Sequence, residues 1–299
     1  MGSRGLVTQA RGHLDTRGGL VGKVGGGTVR TAPLRLDAHA RPPDRPPMLA
    51  PLARALLRSP IGPPARRLYR WLRPLSIDEQ NARYDHETGE VIARALGPSS
   101  SAIDVGAHAG MILRLMVAQA PQGQHWAFEP LPGFAEQLRA DFPTVQVHAL
   151  AVAAVSGPAR FTRVISDPGY SGLLRRETPH GAADEVEEVT VQCVRLDDLI
   201  PPRTPIALIK VDVEGGELGV FQGAHALLTA QRPLVIFEHG LPAAGCYGTR
   251  PEAVYDVLAD CGLSVTLMAR WLAGQPPLTR AQFVHLVDTG AQFYFLAAP

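Results

Sequence analysis

Lysine is almost absent from this chain, which has two lysines, Lys23 and Lys210, against 27 arginines. Cysteine is scarce as well. The chain has three cysteines, an odd number, and their spacing matches no metal-ligand motif. A chain so poor in cysteine is not a disulfide-stapled secreted domain, and we expect a reduced, cytoplasmic protein. The scarcity of lysine also singles out Lys210 as the one lysine after residue 75.

Long hydrophobic runs are missing too. No stretch of about 18 uncharged apolar residues occurs, so the sequence contains no candidate transmembrane segment. The amino terminus lacks the apolar core and small-residue cleavage site of a secretory signal. An apolar content of 45% is ordinary for a soluble globular protein, and 299 residues suffice for one or two domains.

The net charge of +1 conceals two parts of opposite charge. Residues 1–75 carry 14 basic and 3 acidic side chains, whereas residues 76–299 carry 15 basic and 25 acidic ones. Since an acidic body repels a phosphate backbone, we expect no nucleic-acid partner.

The amino-terminal part of the chain differs in composition from the rest. Residues 1–47 are rich in glycine, proline and arginine without apolar periodicity, which predicts a disordered head. Met48 is a candidate for the true start of translation, and residues 48–97 are predicted to be a helical segment that packs on or near the core. Within it, residues 49–73 have six arginines and no acid, which favours a solvated helix face over contact with a membrane surface or an anionic partner.

Residues 98–299 form one predicted domain in which strands and helices alternate. Near-continuous apolar strands indicate an α/β fold whose mostly parallel sheet is covered by helices on both faces and closed by an antiparallel strand. The Thr249-x-x-Glu252 pattern predicts a capping box for the last of its helices. The predicted strands are 102–106, 126–129, 145–149, 186–194, 206–211, 234–237, 265–268 and 293–296, and the predicted helices, including one before the domain, are 85–96, 111–119, 133–140, 217–229 and 251–261.

The first predicted strand leads into the sequence DVGAHAG, residues 104–110. Gly106 would allow a tight turn close to a ligand, and Gly110 would let the next helix pack closely on the strand. Glu129 ends the second strand, 23 residues after Gly106, where a carboxylate accepts both hydroxyls of a ribose. Together these features predict a cofactor site rather than a purely structural turn.

The glycine loop has the spacing GxxxG and lacks the middle glycine of the dinucleotide fingerprint GxGxxG. Its absence disfavours a pyrophosphate pressed onto the turn and favours S-adenosylmethionine (SAM), which has no phosphate. Asp104 is a candidate to orient the ammonium group of the methionine moiety, directly or through a water molecule. Ala107 and His108 lie on the same loop, where a histidine is more often incidental than catalytic.

Further motifs accompany this loop, and with them the chain resembles the FkbM-type SAM-dependent methyltransferases from about Tyr84 to the carboxyl terminus. The resemblance implies the class I SAM-methyltransferase (Rossmann-like) fold, SAM as cofactor, and mostly O-methylation of small molecules or sugars. Gly216 departs from the family pattern, which usually has alanine there. The motifs are DVGAHAG at 104–110, AFEP at 127–130, GYSGL at 169–173, IKVDVEGGE at 209–217, FEHG at 237–240 and the dipeptide Tyr84-Asp85.

The acceptor needs a polar group near the reacting centre, because an alcohol keeps its proton at neutral pH. Lys210, Asp212 and Glu214 lie at the end of one predicted strand, and His239 ends the next. We expect His239 to be the general base, since imidazole titrates near neutrality, with Asp212 as its nearest rival.

Simpler roles for these residues remain open. Lys210 can neutralise buried carboxylates without a part in the chemistry. Asp212, Glu214, Glu238 and His239 also offer ligands to Mg²⁺ or Ca²⁺, although the family pattern demands no metal and we predict none.

Three other functions compete with methyl transfer to a small-molecule or sugar acceptor. A nicotinamide-dependent oxidoreductase on the same sheet is disfavoured by the GxxxG spacing. A non-catalytic SAM-binding interaction protein is disfavoured by the acids and histidine at the strand ends. A nucleic-acid methyltransferase is disfavoured by the acidic body and by the lack of an Asn/Asp-Pro-Pro-aromatic motif.

Overall fold

The computed structural model describes residues 77–176, 178 and 181–299, together with four two-residue strands near the amino terminus. The chain divides into two units, Met1–Leu56 and Leu57–Pro299. In the first unit, β1 (His13–Leu14) pairs antiparallel with β2 (Leu20–Val21), and β3 (Lys23–Val24) with β4 (Gly27–Thr28). The rest of the predicted head 1–47, and the basic segment 49–73, lie outside the described residues.

The strands of the second unit are β5 (Ser101–Val105), β6 (His125–Phe128), β7 (Gln146–His148), β8 (Ala151–Val152), β9 (Gly157–Val164), β10 (Val186–Val194), β11 (Ile206–Val211), β12 (Leu234–Glu238), β13 (Ser264–Thr266) and β14 (Tyr294–Ala298). Seven of them form one sheet, in the order β13-β14-β12-β11-β5-β6-β7. Five strands of this sheet, β7, β6, β5, β11 and β12, run parallel, and β14 runs antiparallel to both of its neighbours. The predicted mostly parallel sheet with an antiparallel closing strand is therefore confirmed.

Helices cover both faces of this sheet. They are α1 (Ile77–Ala95), α2 (Met111–Gln119), α3 (Pro132–Asp141), α4 (Leu196–Leu199), α5 (Glu217–Gly223), α6 (His225–Gln231), α7 (Leu241–Ala244), α8 (Pro251–Asp260), α9 (Met268–Leu272) and α10 (Arg280–Asp288). Because alternate residues of a strand point to opposite sides, each strand packs against helices on both faces. Ile209 and Val211 of β11 pack in a core with α5, α6, α8 and α10, whereas Leu208 packs on the other side with α1, α2 and α9. Along the described residues, no helix has the length and apolarity to cross a membrane.

Two helix predictions were wrong in detail. The helix predicted at 217–229 is divided at Ala224 into α5 and α6, and a side chain at Gly223 would overlap the backbone carbonyl of Ala153. The capping box predicted at Thr249 does not form, because the N-cap residue of α8 is Arg250, whose side chain accepts no capping hydrogen bond. The capping box that forms joins Thr279 and Gln282 at the start of α10, a helix that was not predicted.

A small second sheet has the order β8-β10-β9. Strands β9 and β10 pair antiparallel along their full length, from Gly157–Cys193 to Val164–Val186. Only β10 was predicted, because β9 alternates less regularly between apolar and polar residues. The connection between β9 and β10 begins with a short 3₁₀ turn, Pro168–Tyr170.

Candidate active site

A cavity of about 250 Å³ lies at the carboxyl ends of the three adjacent strands β11, β5 and β6. Residues 168–173 of the connection after β9 contribute to its wall, and so does Tyr294 of β14. Seven of the candidate site residues predicted from the sequence line the cavity, and three of these are acids. The seven are Gly106, Ala107, His108, Glu129, Lys210, Asp212 and Glu214.

The glycine loop after β5 is shaped by close backbone contacts. Gly106 has a φ of 75°, and a Cβ atom there would overlap the backbone carbonyl oxygen of Asp212. Gly110 has a φ of 77°, and its Cβ atom would lie 2.7 Å from both Leu138 and Phe142 of the α3 region. Since only glycine accepts such a φ without strain, both glycines are explained by the fold itself. Gly106 lines the cavity and Gly110 does not.

Glu129 follows β6 and lines the cavity with a side chain that is almost fully buried. Its Oε2 accepts a hydrogen bond from the backbone N–H of His108 at 2.9 Å, and its Oε1 accepts one from that of Leu131 at 3.0 Å. Burial raises the pKa of Glu129, whereas these two hydrogen bonds oppose the rise. Each carboxylate oxygen keeps a free lone pair, so Glu129 is a fixed acceptor that can still receive two hydroxyl donors.

His108 has a φ of 46°, in the left-handed region that a non-glycine residue rarely adopts. Its ring packs on Phe134, with ring centroids 4.3 Å apart. Burial lowers the pKa of His108, and the charge of Lys210 lowers it further. A neutral imidazole therefore forms part of the cavity wall next to Glu129.

Lys210 is the centre of a buried charge network. Its ammonium group donates a hydrogen bond to the carbonyl oxygen of Gly106 at 2.8 Å and lies 3.5 Å from Asp104 and 3.6 Å from Asp212. Burial alone would lower the pKa of Lys210, but the charges of Asp104 and Asp212 raise it above its usual value. This is the geometry of charge neutralisation, one of the two roles that the sequence left open.

Asp104 does not line the cavity, and no part of it is exposed. Its carboxylate faces Lys210 from β5, the strand that pairs with β11 at this position. The geometry therefore gives no support to the expectation that Asp104 touches the ammonium group of SAM directly. It supports a different task, in which Asp104 keeps Lys210 charged and in place.

Asp212 lines the cavity, and 22% of its side chain is exposed. Its Oδ2 accepts a hydrogen bond from the Tyr294 hydroxyl at 2.6 Å. Burial raises the pKa of Asp212, but the charge of Lys210 and hydrogen bonds from Glu238 and Tyr294 outweigh it, so that the pKa is lowered. Asp212 is therefore an ionised carboxylate with three donors, held at the cavity wall.

Glu238 ends β12, between Asp212 and Tyr294 in the order of the strands. Burial, followed by the charge of Asp212, raises the pKa of Glu238 well above its usual value. The raised pKa favours the protonated form of Glu238, which is the donor in its hydrogen bond to Asp212.

Glu214 lies in the turn after β11 with a φ of 59°. Its carboxylate is 2.6 Å from the guanidinium of Arg176, which also lies over the Tyr170 ring at 4.2 Å. Burial and the charge of Asp212 raise the pKa of Glu214 to about 8, although Arg176 opposes the rise. This ion pair ties the connection between β9 and β10 to the turn after β11.

His239 is fully buried and does not line the cavity. Its Nδ1 lies 3.6 Å from Oε2 of Glu217, and its ring is stacked over Phe283. The reason is the alternation along β12: Glu238 turns towards Asp212, so the next residue points the other way. The expectation that His239 faces the acceptor as a general base is at odds with this position.

Tyr294 and Arg176 were not predicted as site residues from the sequence, and Glu217 was assigned no role. Tyr294 is the first residue of β14, directly opposite Glu238. A tyrosine at the start of a predicted closing strand was a visible hint, but the strand register was needed to place it. Arg176 lies in an irregular connection, where the sequence carries no periodic pattern.

Within the described residues, no group of three or more His, Cys, Asp or Glu side chains is arranged to hold a metal ion. The alternative metal site required His239 beside Asp212, Glu214 and Glu238, and the side chain of His239 points away from them. The carboxylates that remain are already engaged by Lys210, Arg176 and each other.

A family model described as the methyltransferase FkbM domain matches residues 104–265, more than half of the chain. Among solved structures, the chain is similar to an FkbM methyltransferase from Methylobacillus flagellatus KT, at 15% identity and a TM-score of 0.41. That similarity covers 68% of this chain and 44% of the other, so it spans less than half of the other protein's length. A TehB-like SAM-dependent methyltransferase from Corynebacterium glutamicum is 13% identical with a TM-score of 0.37, covering 78% of this chain and 91% of the other. No curated protein matches the chain.

The family match covers the glycine loop, Glu129 and the turn after β11, all of which contribute residues to the cavity wall. The sheet order, with one antiparallel strand next to the edge, is the class I SAM-methyltransferase (Rossmann-like) arrangement that the resemblance implied. SAM is the methyl donor that this family implies. The chain thus belongs to the FkbM methyltransferase domain family.

Proposed function

We propose that this protein transfers a methyl group from SAM to a hydroxyl group of a small molecule or sugar. The observation that carries the proposal is a single cavity lined both by Glu129 after β6 and by the hydrogen-bonded pair of Asp212 after β11 and Tyr294 of β14. The first is suited to a ribose and the second to an acceptor hydroxyl. Because the two sites share one cavity, the donor and the acceptor would meet inside it.

The residues around Glu129 fit the cofactor. The carboxylate is fixed by two backbone N–H groups and keeps lone pairs for a ribose diol. Leu131, Val152 and Phe161 supply an apolar part of the wall, where we place the adenine ring. The loop of Gly106, Ala107 and His108 is left for the methionine end of the cofactor.

The acceptor side is assigned to Asp212 rather than to His239. Asp212 is the strand-end carboxylate that is both ionised and partly exposed in the cavity, and the buried His239 cannot reach an acceptor there. Asp212 would accept a hydrogen bond from the acceptor hydroxyl and take its proton as the oxygen attacks. The same carboxylate also orients the hydroxyl towards the methyl donor.

The chemistry that SAM supplies when bound is a methyl group activated by a sulfonium. The ionised carboxylate of Asp212 in the cavity wall provides a negative charge that suits a cationic donor. Pro168, Gly169 and Leu173 line the cavity on the side of the connection after β9. Positioning of the donor and the acceptor in one cavity contributes roughly 7–11 kcal/mol to rate acceleration.

Calorimetry with S-adenosylhomocysteine, followed by transfer of a labelled methyl group from SAM to a panel of sugars and alcohols, tests the proposal. We expect binding in the micromolar range and label in an ether product that resists mild base. Binding of S-adenosylhomocysteine without any labelled hydroxyl product, but with a labelled amine or thiol, would contradict O-methylation. Failure to bind S-adenosylhomocysteine would contradict the proposal as a whole.

A further inference from the structure

Two polar side chains lie buried behind the cavity without lining it. Glu217 is 1% exposed and His239 is not exposed, and the distance from Nδ1 of His239 to Oε2 of Glu217 is 3.6 Å. Burying an acid and an imidazole is unfavourable unless they interact with each other or with polar neighbours. The place of this pair in the fold indicates what it does.

Glu217 holds the turn that follows β11. Its Oε1 accepts hydrogen bonds from the backbone N–H groups of Gly215 at 2.9 Å and of Val213 at 3.4 Å. Glu217 is also the first residue of α5, where a negative charge interacts favourably with the helix dipole. One oxygen of Glu217 thus faces the turn, and the other faces His239.

The turn that Glu217 holds needs support. Glu214 and Gly215 have φ values of 59° and 102°, and a Cβ atom at Gly215 would lie 2.5 Å from the Ala243 carbonyl group. A non-glycine residue in the left-handed region is strained, and such strain persists only where surrounding contacts over-determine the conformation. Asp212 and Glu214 reach the cavity from this turn, so its conformation sets the position of both carboxylates.

His239 connects Glu217 to the opposite side of the site. Its backbone N–H donates a hydrogen bond to the carbonyl oxygen of Phe293 at 2.7 Å, and its ring packs on Phe283 of α10. Phe293 directly precedes Tyr294, whose hydroxyl donates to Asp212. The same residue therefore contacts the element that carries Tyr294 and, through Glu217, the turn that carries Asp212.

We propose that His239 and Glu217 form a positioning pair that fixes the turn 212–216. The pair thereby keeps Asp212 within hydrogen-bond distance of the Tyr294 hydroxyl group. His239 acts through Glu217 and never touches the acceptor. The meaning of this pair for catalysis rests on the proposed function, in which the acceptor hydroxyl meets Asp212. The pair itself is testable without any acceptor.

Amide hydrogen exchange at Gly215 is the direct measurement. In His239→Leu, which removes the ring nitrogens, we expect exchange at Gly215 to become about tenfold faster, relative to amides of β5 and β11. His239→Asn, whose side-chain nitrogen can take the place of Nδ1, should restore protection. His125→Leu is the matched control, because His125 is a buried histidine whose Nε2 contacts Ala120 away from this turn.

Glu217 gives a second pair of variants if His239→Leu does not fold. Glu217→Gln keeps an oxygen for Gly215 and should keep its protection, whereas Glu217→Ala should lose it. Unchanged exchange at Gly215 in His239→Leu, no rescue by His239→Asn, or an equal effect of His125→Leu would overturn the pair. S-adenosylhomocysteine binding is measured on the same proteins. If the wild type does not bind it, the proposed function is contradicted, whereas the exchange rates at Gly215 still test the His239–Glu217 pair.

Discussion

The hydroxyl group of Tyr294 donates a hydrogen bond of 2.6 Å to Oδ2 of Asp212 and thereby joins the antiparallel strand β14 to the end of β11. The strand between them, β12, contributes Glu238 to the same carboxylate. Three neighbouring strands thus direct one polar group each towards one point of the cavity wall. Burial and the nearby charge of Asp212 raise the pKa of Tyr294 well above its usual value, so it stays a donor at neutral pH.

Tyr294→Phe should move the acid limb of the pH–rate profile. The hydrogen bond from Tyr294 is one of the interactions that lower the pKa of Asp212, so its loss raises that pKa. Activity that depends on ionised Asp212 should then fall at a higher pH than in the wild type. Tyr255→Phe is the control, because its hydroxyl bonds to the Leu278 carbonyl. If the acid limb of the pH–rate profile were the same in Tyr294→Phe as in the wild type, the assigned role of Asp212 would be contradicted.

Asp212→Asn should abolish the proton-accepting carboxylate and preserve its shape. We expect kcat for methyl transfer to fall by about 10²–10⁴, with little change in the affinity for S-adenosylhomocysteine. Asp260→Asn, at an exposed position beyond the site, should change neither quantity. If Asp212→Asn turned over at the wild-type rate, Asp212 would not be the base of the reaction.

Glu129→Ala should weaken cofactor binding, since a ribose diol would lose a charged acceptor. The loss of about 1.5–3 kcal/mol corresponds to a dissociation constant roughly 10- to 100-fold higher. Glu136→Ala on the exposed side of α3 is the control, and calorimetry with S-adenosylhomocysteine is the measurement. NAD(H) and NADP(H) should give no heat with the wild type; nicotinamide binding without SAM binding would refute the cofactor assignment.

The fold was largely predictable, because buried parallel strands are apolar almost throughout. The strand Ile206–Val211 and the helix Met111–Gln119 were predicted at their observed bounds. The second strand of the small sheet, Gly157–Val164, was missed because only part of it is buried and its pattern is weak. The division of the helix after β11 depends on a close approach of Gly223 to Ala153, a tertiary contact that no local pattern reveals.

The site was harder to predict than the sheet. The glycine loop and Glu129 could be placed, because both are fixed by their distance along the chain from β5 and β6. His239 could not be, because one step along β12 separates a residue that faces Asp212 from one that faces Phe283. Tyr294 comes from the other end of the chain, and only the pairing of β14 with β12 brings it to Asp212.

The stability of the protein should depend on the ionisation of Glu214. Its pKa is about 8 in the folded protein against an ordinary value of 4.5, so the folded state binds more protons than the unfolded state between these values. Stability from this group is therefore full below pH 4.5 and is lost as the pH rises through 8. In Glu214→Gln the fall in unfolding free energy from pH 6 to pH 9, measured by urea denaturation, should be smaller than in the wild type. The exposed Glu185→Gln should retain the wild-type slope, and an unchanged slope in Glu214→Gln would contradict the raised pKa.

Gly106→Ala should be strongly destabilising, for two reasons that act together. The new Cβ atom would overlap the carbonyl oxygen of Asp212, which is backbone and cannot rotate away, and the φ of 75° is unfavourable for alanine. The left-handed conformation costs about 1–2 kcal/mol, and relief of the overlap adds about 1–3 kcal/mol.

Gly133→Ala is the matched control, because no atom lies within 4 Å of its Cβ position and it sits inside α3. That variant should be neutral or more stable by up to about 1 kcal/mol, since alanine favours a helix. Urea denaturation of both variants gives the comparison. If Gly106→Ala were as stable as Gly133→Ala, the close approach of the glycine loop to the end of β11 would not exist in solution. If Gly106→Ala folds at reduced stability, its affinity for S-adenosylhomocysteine should also drop, because the overlap is relieved by moving the loop that lines the cavity.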